Sequence, residues 1–419
     1  MLELLLKNLG AVSACARSYK SHDRTDKVRI HNVLLLLFSG LICFSGAAAA
    51  QTVPDDFATI QEAVDNAGNG ATITIKKGTY NENVIIDNKP NISIIGKGKP
   101  VISGGIGAAL TITNTNNAFI TGITVRNSGA RGIHVTNCTD VTFSKCAVSD
   151  ISGNGIDVED CDGIVIELCT ISNPAGHGIQ LSTGKNGETT NSTINKCKIN
   201  STADDGIHIR GSNNIVNQCT ITDPGADGIG LEDGAAGGVN NQFIKNKIVS
   251  AGGDGIRLQG TGHSVTQNKI SDSIDDGIRV SGDGHTIHKN IITNTVEDGI
   301  SVRLDAINMT ISQNRITGSS GDGINIRAGA VNIMLLSNSV SNSAGDGIDI
   351  ELSGDGHTLT SNKCTKSGGD GIQIGGEDNI ITLNTASGSL GLDLRDQNGA
   401  PGFNSYSGNK VKTSNIAVE

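Results

Sequence analysis

"SDSIDDGIRVSGDGHTIHKN", residues 271–290, looks at first like a fragment of an active site: two adjacent aspartates, a glycine, then an Ile-Arg-Val alternation. The stretches on either side say nearly the same thing. A Gly-Ile pair recurs at Gly132, Gly155, Gly178, Gly206, Gly228, Gly255, Gly277, Gly299, Gly323, Gly347 and Gly371, and Gly391 heads the variant Leu-Gly-Leu-Asp-Leu, at intervals of 20 to 28 residues. A unit this short cannot bury its own apolar face, so it must stack on copies of itself. After each glycine, Ile-x-Ile, Ile-x-Leu or Ile-x-Val turns two aliphatic side chains inward and one residue outward, which is strand periodicity and not helical spacing.

A second column fixes the geometry. Cys146, Cys169, Cys197, Cys219, Asn246, Asn268, Asn290, Asn314, Asn338 and Asn362 each precede the next repeat glycine by nine residues. All variation in length therefore falls between the Gly-Ile strand and this column, mostly in 181–196 and 231–245. One corner of the coil is fixed and another accepts loops. A column of asparagines lets each amide bond its neighbours above and below, satisfying polar groups at a corner that water does not reach. The expected fold is all-β, a parallel β-helix solenoid with coils about 4.8 Å apart.

This pattern resembles the right-handed parallel β-helix of the pectin-lyase-like superfamily. The opening "VPDDFATIQEAVDNAGNGATITIKKGTYNENVIIDNKPNISIIGKG" is similar to that group too, with an amphipathic helix near 57–66, a strand, a Gly-Thr-Tyr turn and further strands. The resemblance spans roughly residues 52 to 415. It implies a short N-terminal capping helix over the open end of the core. Residues 51–100 then form the N-terminal cap and first strands, and 101–419 the repeats with a C-terminal cap.

The apolar run "VLLLLFSGLICFSGAAAAQT" from Val33 reads as a signal segment within residues 1–50, cut near Ala50 and Gln51. Its leader is long, and Val28 as the true start would place residues 1–27 outside the product. A secreted or periplasmic protein, not held in a membrane after signal cleavage, is expected. With 42 acidic residues against 32 basic ones and 2% aromatics, the chain argues against nucleic acid as its main partner, and an acidic polymer would bind only at a local basic patch.

Seven cysteines follow the signal segment, at 138, 146, 161, 169, 197, 219 and 364. Side chains of in-register parallel strands point the same way, which holds Cβ atoms too far apart for disulfides, so buried thiols are expected. No Cys/His spacing marks a zinc site.

The residue before each repeat glycine is His177, then Asp205, Asp227, Asp254, Asp276, Asp298, Asp322, Asp346 and Asp370. Eight stacked carboxylates repel one another by about 1 kcal/mol per neighbour even at the dielectric of water. Arginines, turn amides or calcium could offset this; Arg257 and Arg279 follow the Ile of their coils, and Arg210, Arg303 and Arg327 sit two positions farther on. The plain reading is structural, with Asp capping backbone amides and Gly permitting the bend. His263, His285 and His357 occupy equivalent loop positions and read as solvated turn histidines.

Catalysis needs a break in the repeat. It lies between 178 and 232, where two insertions flank Asp204, Asp205, His177, His208 and Asp227 as catalytic candidates, with Arg210, Glu232, Arg257 and Arg279 to hold substrate. "GHGIQLS" (176–182) and "DDGIHI" (204–209) resemble two elements of polygalacturonases, but in reversed order and with no Arg-x-Lys after them, so that activity is not carried over. The pectate lyase Arg motif and the Asp-Pro-His of alginate epimerases are missing as well. The expected partner is a polysaccharide, uronate-containing, either cleaved by a hydrolase or lyase or merely bound by a noncatalytic β-helix.

Overall fold

The computed structural model describes residues 50–231, 238–352, 355–398 and 403–416. They form an all-β solenoid of three parallel sheets, with 16, 14 and 14 strands in order along the chain. One coil shows the plan: Gln242–Ile244 in the first sheet, Lys247–Val249 in the second and Ile256–Leu258 in the third. Each strand pairs in register with its counterparts one coil away, as Arg257 does with Arg279. Among the described residues helix is confined to α1 (Ile60–Asp65), shorter than the expected 57–66, started by the Thr59 side chain accepting from the Glu62 amide and burying Ile60, Ala63 and Val64.

Every strand in the repeats is only three to five residues long, so stability comes from stacking rather than strand length. Phe243, Ile248, Ile256 and Leu258 fill one coil's share of the core and are essentially unexposed. Each such side chain contributes about 1.5–3 kcal/mol on burial. The seven cysteines among the described residues are buried free thiols, and Cys146, Cys169, Cys197 and Cys219 continue the asparagine column.

Three corners join the sheets, and left-handed residues bend the chain around them. The residue before each column asparagine, such as Gln267 (φ 59°) or Lys289 (φ 56°), turns the first sheet into the second. The repeat glycines play a different role from the one expected. None of them has positive φ; instead a Cβ on Gly277 would lie 2.4 Å from Ile292 Cγ2 and 2.5 Å from the Gly299 carbonyl. Glycine stands there because the coils approach too closely for a side chain, not to permit a bend.

His263, His285 and His357 are also placed differently. They are buried at the corner between the third and first sheets, not solvated. The Asn241 amide donates to His263 Nδ1 (3.0 Å) and the His263 amide to His285 Nδ1 (3.0 Å), while their Nε2 atoms face the Gln259 and Ser281 carbonyls. The rings substitute for the amides of Asn214 and Asn241 in the same file, because an imidazole nitrogen accepts a backbone N–H as an amide oxygen does.

Candidate functional site

The corner between the second and third sheets carries the aspartates. Each Oδ1 accepts the backbone N–H of the next coil's aspartate: Asp254 to Asp227 at 2.8 Å, Asp276 to Asp254 at 3.0 Å, Asp298 to Asp276 at 3.0 Å. Oδ2 is left for the outer face of the third sheet, where for Asp227, Asp254, Asp276 and Asp298 the following coil returns an arginine. Arg257 meets Asp227 (3.8 Å), Arg279 meets Asp254 (3.9 Å), Arg303 meets Asp276 (3.1 Å) and Arg327 meets Asp298 (3.6 Å). Amides and arginines together offset the repulsion, but not fully. Burial first, and a neighbouring carboxylate second, push Asp227 up to about 6 and Asp254 up to about 7.

These four arginines line one cleft of about 380 Å³ with Gln259, Ser281, Leu304 and Asp305. Their side chains are 25 to 38% exposed, so each guanidinium presents donors outward as well as to its aspartate. Beyond Arg327 the strip ends at Glu351, 3.7 Å from that arginine.

One end of the strip adjoins the break in the repeat. His208 Nδ1 lies 2.7 Å from Asp205 Oδ2, which orients the ring and leaves Nε2 as the unprotonated nitrogen of the neutral form. That Nε2 is buried without a hydrogen-bond partner, so His208 is a covered member of the group. His177 stacks on His208 at 4.4 Å, and its Nδ1 accepts the Asp205 amide at 3.2 Å, which places its proton on Nε2. Burial, then His208, lowers the His177 pKa and keeps it neutral. Gly230, the register partner of His208, makes room for this arrangement: a Cβ there would lie 2.6 Å from Asp205 Oδ2.

The structure thus gathers His177, Asp205, His208 and Asp227, with Arg257 and Arg279 on the next coils. Asp204 is exposed and stands apart from the buried Asp205. Arg210 is half-buried on the third sheet's outer edge. Glu232 lies outside the described residues. Reading the sequence missed a second group on the same face: His134, Asp157 and Glu159, on strands Ile133–Thr136 and Ile156–Glu159. Its signal was present, since all three are outward positions of consecutive Gly-Ile strands.

Residues 57–195 and 108–270 match the family described as the right handed beta helix region, two overlapping stretches that together cover just over half of the chain. The chain belongs to the right-handed β-helix family. Its C-terminal part, 235–418, also matches the family described as periplasmic copper-binding protein (NosD). Among the described residues of that part no three His, Cys, Asp or Glu side chains bring ligand atoms together, and His263 and His285 spend both ring nitrogens on the backbone. No curated protein matches the chain significantly.

Among solved structures, this β-helix is similar to the A-module of the mannuronan C-5 epimerase AlgE6 of Azotobacter vinelandii, at 16% identity and TM-score 0.65, covering 72% of this chain and 92% of that one. A mannuronic acid specific polysaccharide family 6 lyase from human gut microbiota is similar at 16% identity and TM-score 0.55, covering 71% and 82%. The DFA-IIIase of Arthrobacter chlorophenolicus A6 without its lid is similar at 13% identity and TM-score 0.51, covering 70% and 95%. At such identities the likeness is one of fold.

Proposed function

We propose that this β-helix binds or processes an acidic, uronate-containing polysaccharide along the outer face of its third sheet. The observation that carries the reading is the row of Arg257, Arg279, Arg303 and Arg327 in one cleft, one guanidinium per coil. Coils rise by about 4.8 Å. That spacing matches successive saccharide units, so a chain laid along the axis offers a carboxylate to each arginine, in the fork geometry that guanidinium suits best. The fold neighbours whose names include mannuronan and mannuronic acid support the substrate class.

For bond cleavage, Asp227 takes the acid/base role, because a carboxyl held at about 6 exchanges a proton near neutral pH. His177 donates from Nε2 to the substrate, and Asp205 with His208 holds that pair in place. Arg257 and Arg279 position the uronate carboxylates. Export as a secreted or periplasmic protein completes the proposal, supported by the periplasmic family matched at 235–418. Among the described residues no helix is long and apolar enough to cross a membrane. The leader and the division at 50 and 100 remain part of this proposal. Neither calcium nor another cofactor is needed for it.

A second reading, a noncatalytic glycan-binding β-helix, is favoured by the sameness of the aspartate hydrogen bonds from coil to coil. A panel of uronate polymers with reducing-end and unsaturated-product readouts separates the two. The enzyme reading expects product from the wild type, at least a hundredfold loss in Asp227→Asn and Asp205→Asn, and near wild-type rates in Asp322→Asn. Binding without product, unaffected by Asp205→Asn, would establish the second reading.

A further inference from the structure

We propose that His134, Asp157 and Glu159 form a binding site for a divalent first-row transition cation, of which Zn²⁺ is the representative. The site lies on the same outer face as the arginine cleft but does not depend on the polysaccharide reading.

His134 and Asp157 are direct register partners on adjacent strands, and Glu159 follows Asp157 by two residues, so all three side chains leave the same face. One ligand atom from each lies within 4.8 Å of the others. His134 Nε2 is 3.5 Å from Glu159 Oε2. One imidazole and two carboxylates suit zinc and its neighbours, which take such ligands at about 2.0–2.2 Å, so small side-chain movements close the site.

The second observation is what these atoms lack. Asp157 is fully buried, and its Oδ1 has no partner of any kind; His134 Nε2 is likewise buried without a hydrogen-bond partner. The cation that faces them is Arg131, whose Nε contacts Asp157 Oδ2 and whose Nη2 reaches Glu159 Oε1 at 3.0 Å. A buried carboxylate facing a single ion pair has lone pairs left over for a further cation. Arg131 is 40% exposed, free to swing outward and yield its place to a metal ion. The His177, Asp205 and His208 group differs, because Asp205 Oδ1 already receives the Asp227 amide, His177 Nδ1 receives the Asp205 amide and His208 Nδ1 faces Asp205 Oδ2. The atoms that face one another there are already engaged, which leaves His208 Nε2 outside them, whereas Asp157 Oδ1 and His134 Nε2 have no partner.

Three protein ligands leave a coordination position open to water or to a ligand oxygen. His134, Asp157, Gln180 and His208 succeed one another in register, which sets the ion about 10 Å from His208, within reach of a polymer lying on the face.

The test is titration of tag-free, chelator-stripped protein with Co²⁺, followed by visible absorption, and with Zn²⁺ in competition. One equivalent should bind. His134→Ala and Glu159→Gln should each weaken binding by about tenfold or more, while Arg131→Gln, which removes the competing cation, should tighten it. Thermal melts with and without Zn²⁺ give the same reading for any variant of lowered stability: the Zn²⁺-induced rise should vanish in His134→Ala and grow in Arg131→Gln. No saturable binding, unchanged affinity in both ligand variants, or loss in His208→Ala instead would overturn the proposal.

Discussion

Two corners of this solenoid carry ladders of side chains with one carbonyl-type oxygen per coil on the backbone of a neighbour, yet one is inert and the other is not. At the asparagine corner, Asn290 accepts the Asn268 amide (2.9 Å) and donates to the Val265 carbonyl (2.9 Å) and to Asn314 Oδ1 (3.0 Å). Every polar atom of the side chain is used inside the corner. At the aspartate corner Oδ1 does the same structural work, but the second atom is an oxygen instead of an NH₂ group. It has no backbone donor to meet and turns to the outer face. Exchanging NH₂ for O⁻ converts a sealed corner into a charged edge, and the arginines of the third sheet follow from that.

The largest expected effect breaks the sealed corner. Asn290→Ala leaves the Asn268 amide, the Val265 carbonyl and part of Asn314 buried without partners, and should cost about 3–5 kcal/mol in urea unfolding. A loss under 1 kcal/mol would mean that water reaches this corner and that the two corners are less different than described.

Asp276→Ala should cost less, about 2–3 kcal/mol, since it orphans the Asp298 amide and the Arg303 guanidinium, and arginine can turn to solvent. Asp276→Asn should recover about half of that by keeping the acceptor.

The smallest effects depend on pH and have opposite signs at two corners. Asp322 accepts the Asp346 amide, and its Oδ2 faces Asn325 Nδ2 at 3.2 Å; among the described ion pairs it has no arginine. Burial pushes it up to about 7, above about 3.9 in the unfolded chain. The folded state therefore holds an extra proton across that window, and the stability this confers at low pH is lost as pH rises through about 7. Asp322→Asn should raise stability by about 1 kcal/mol at pH 8 and by nothing measurable at pH 4. His263 behaves in reverse. Burial holds it at about 4, against about 6.5 when unfolded, so stability falls as pH drops through that window. His263→Asn, the residue found at Asn241 in the same file, should lessen the acid loss by about 1 kcal/mol at pH 5, read as a smaller drop in melting temperature.

The repeat itself was legible because its period is set by local chemistry: two aliphatics after a glycine and an amide nine residues before the next. Vertical neighbours follow once coils are assumed to stack, which is why the aspartate file and its arginines could be read from letters alone. The histidines could not. A His in a glycine-rich turn looks solvated, and only the enclosure of His263 by the corner shows that its ring does an asparagine's work. His134, Asp157 and Glu159 differ: their outward positions on consecutive strands were legible, and only the burial of Asp157 and the unpartnered atoms around it needed the structure.

Sequence by itself determined the period, the strands, the buried corner and the order of charges along the face, because each depends on residues a fixed number of positions apart. Tertiary structure decided which oxygen of an aspartate meets an amide and which turns outward, that Arg257, Arg279, Arg303 and Arg327 each reach back one coil to an aspartate, and which polar atoms are shut away from water. Those outcomes turn on distances of a few ångströms between coils, and on what lies above each side chain, which spacing along the chain does not encode.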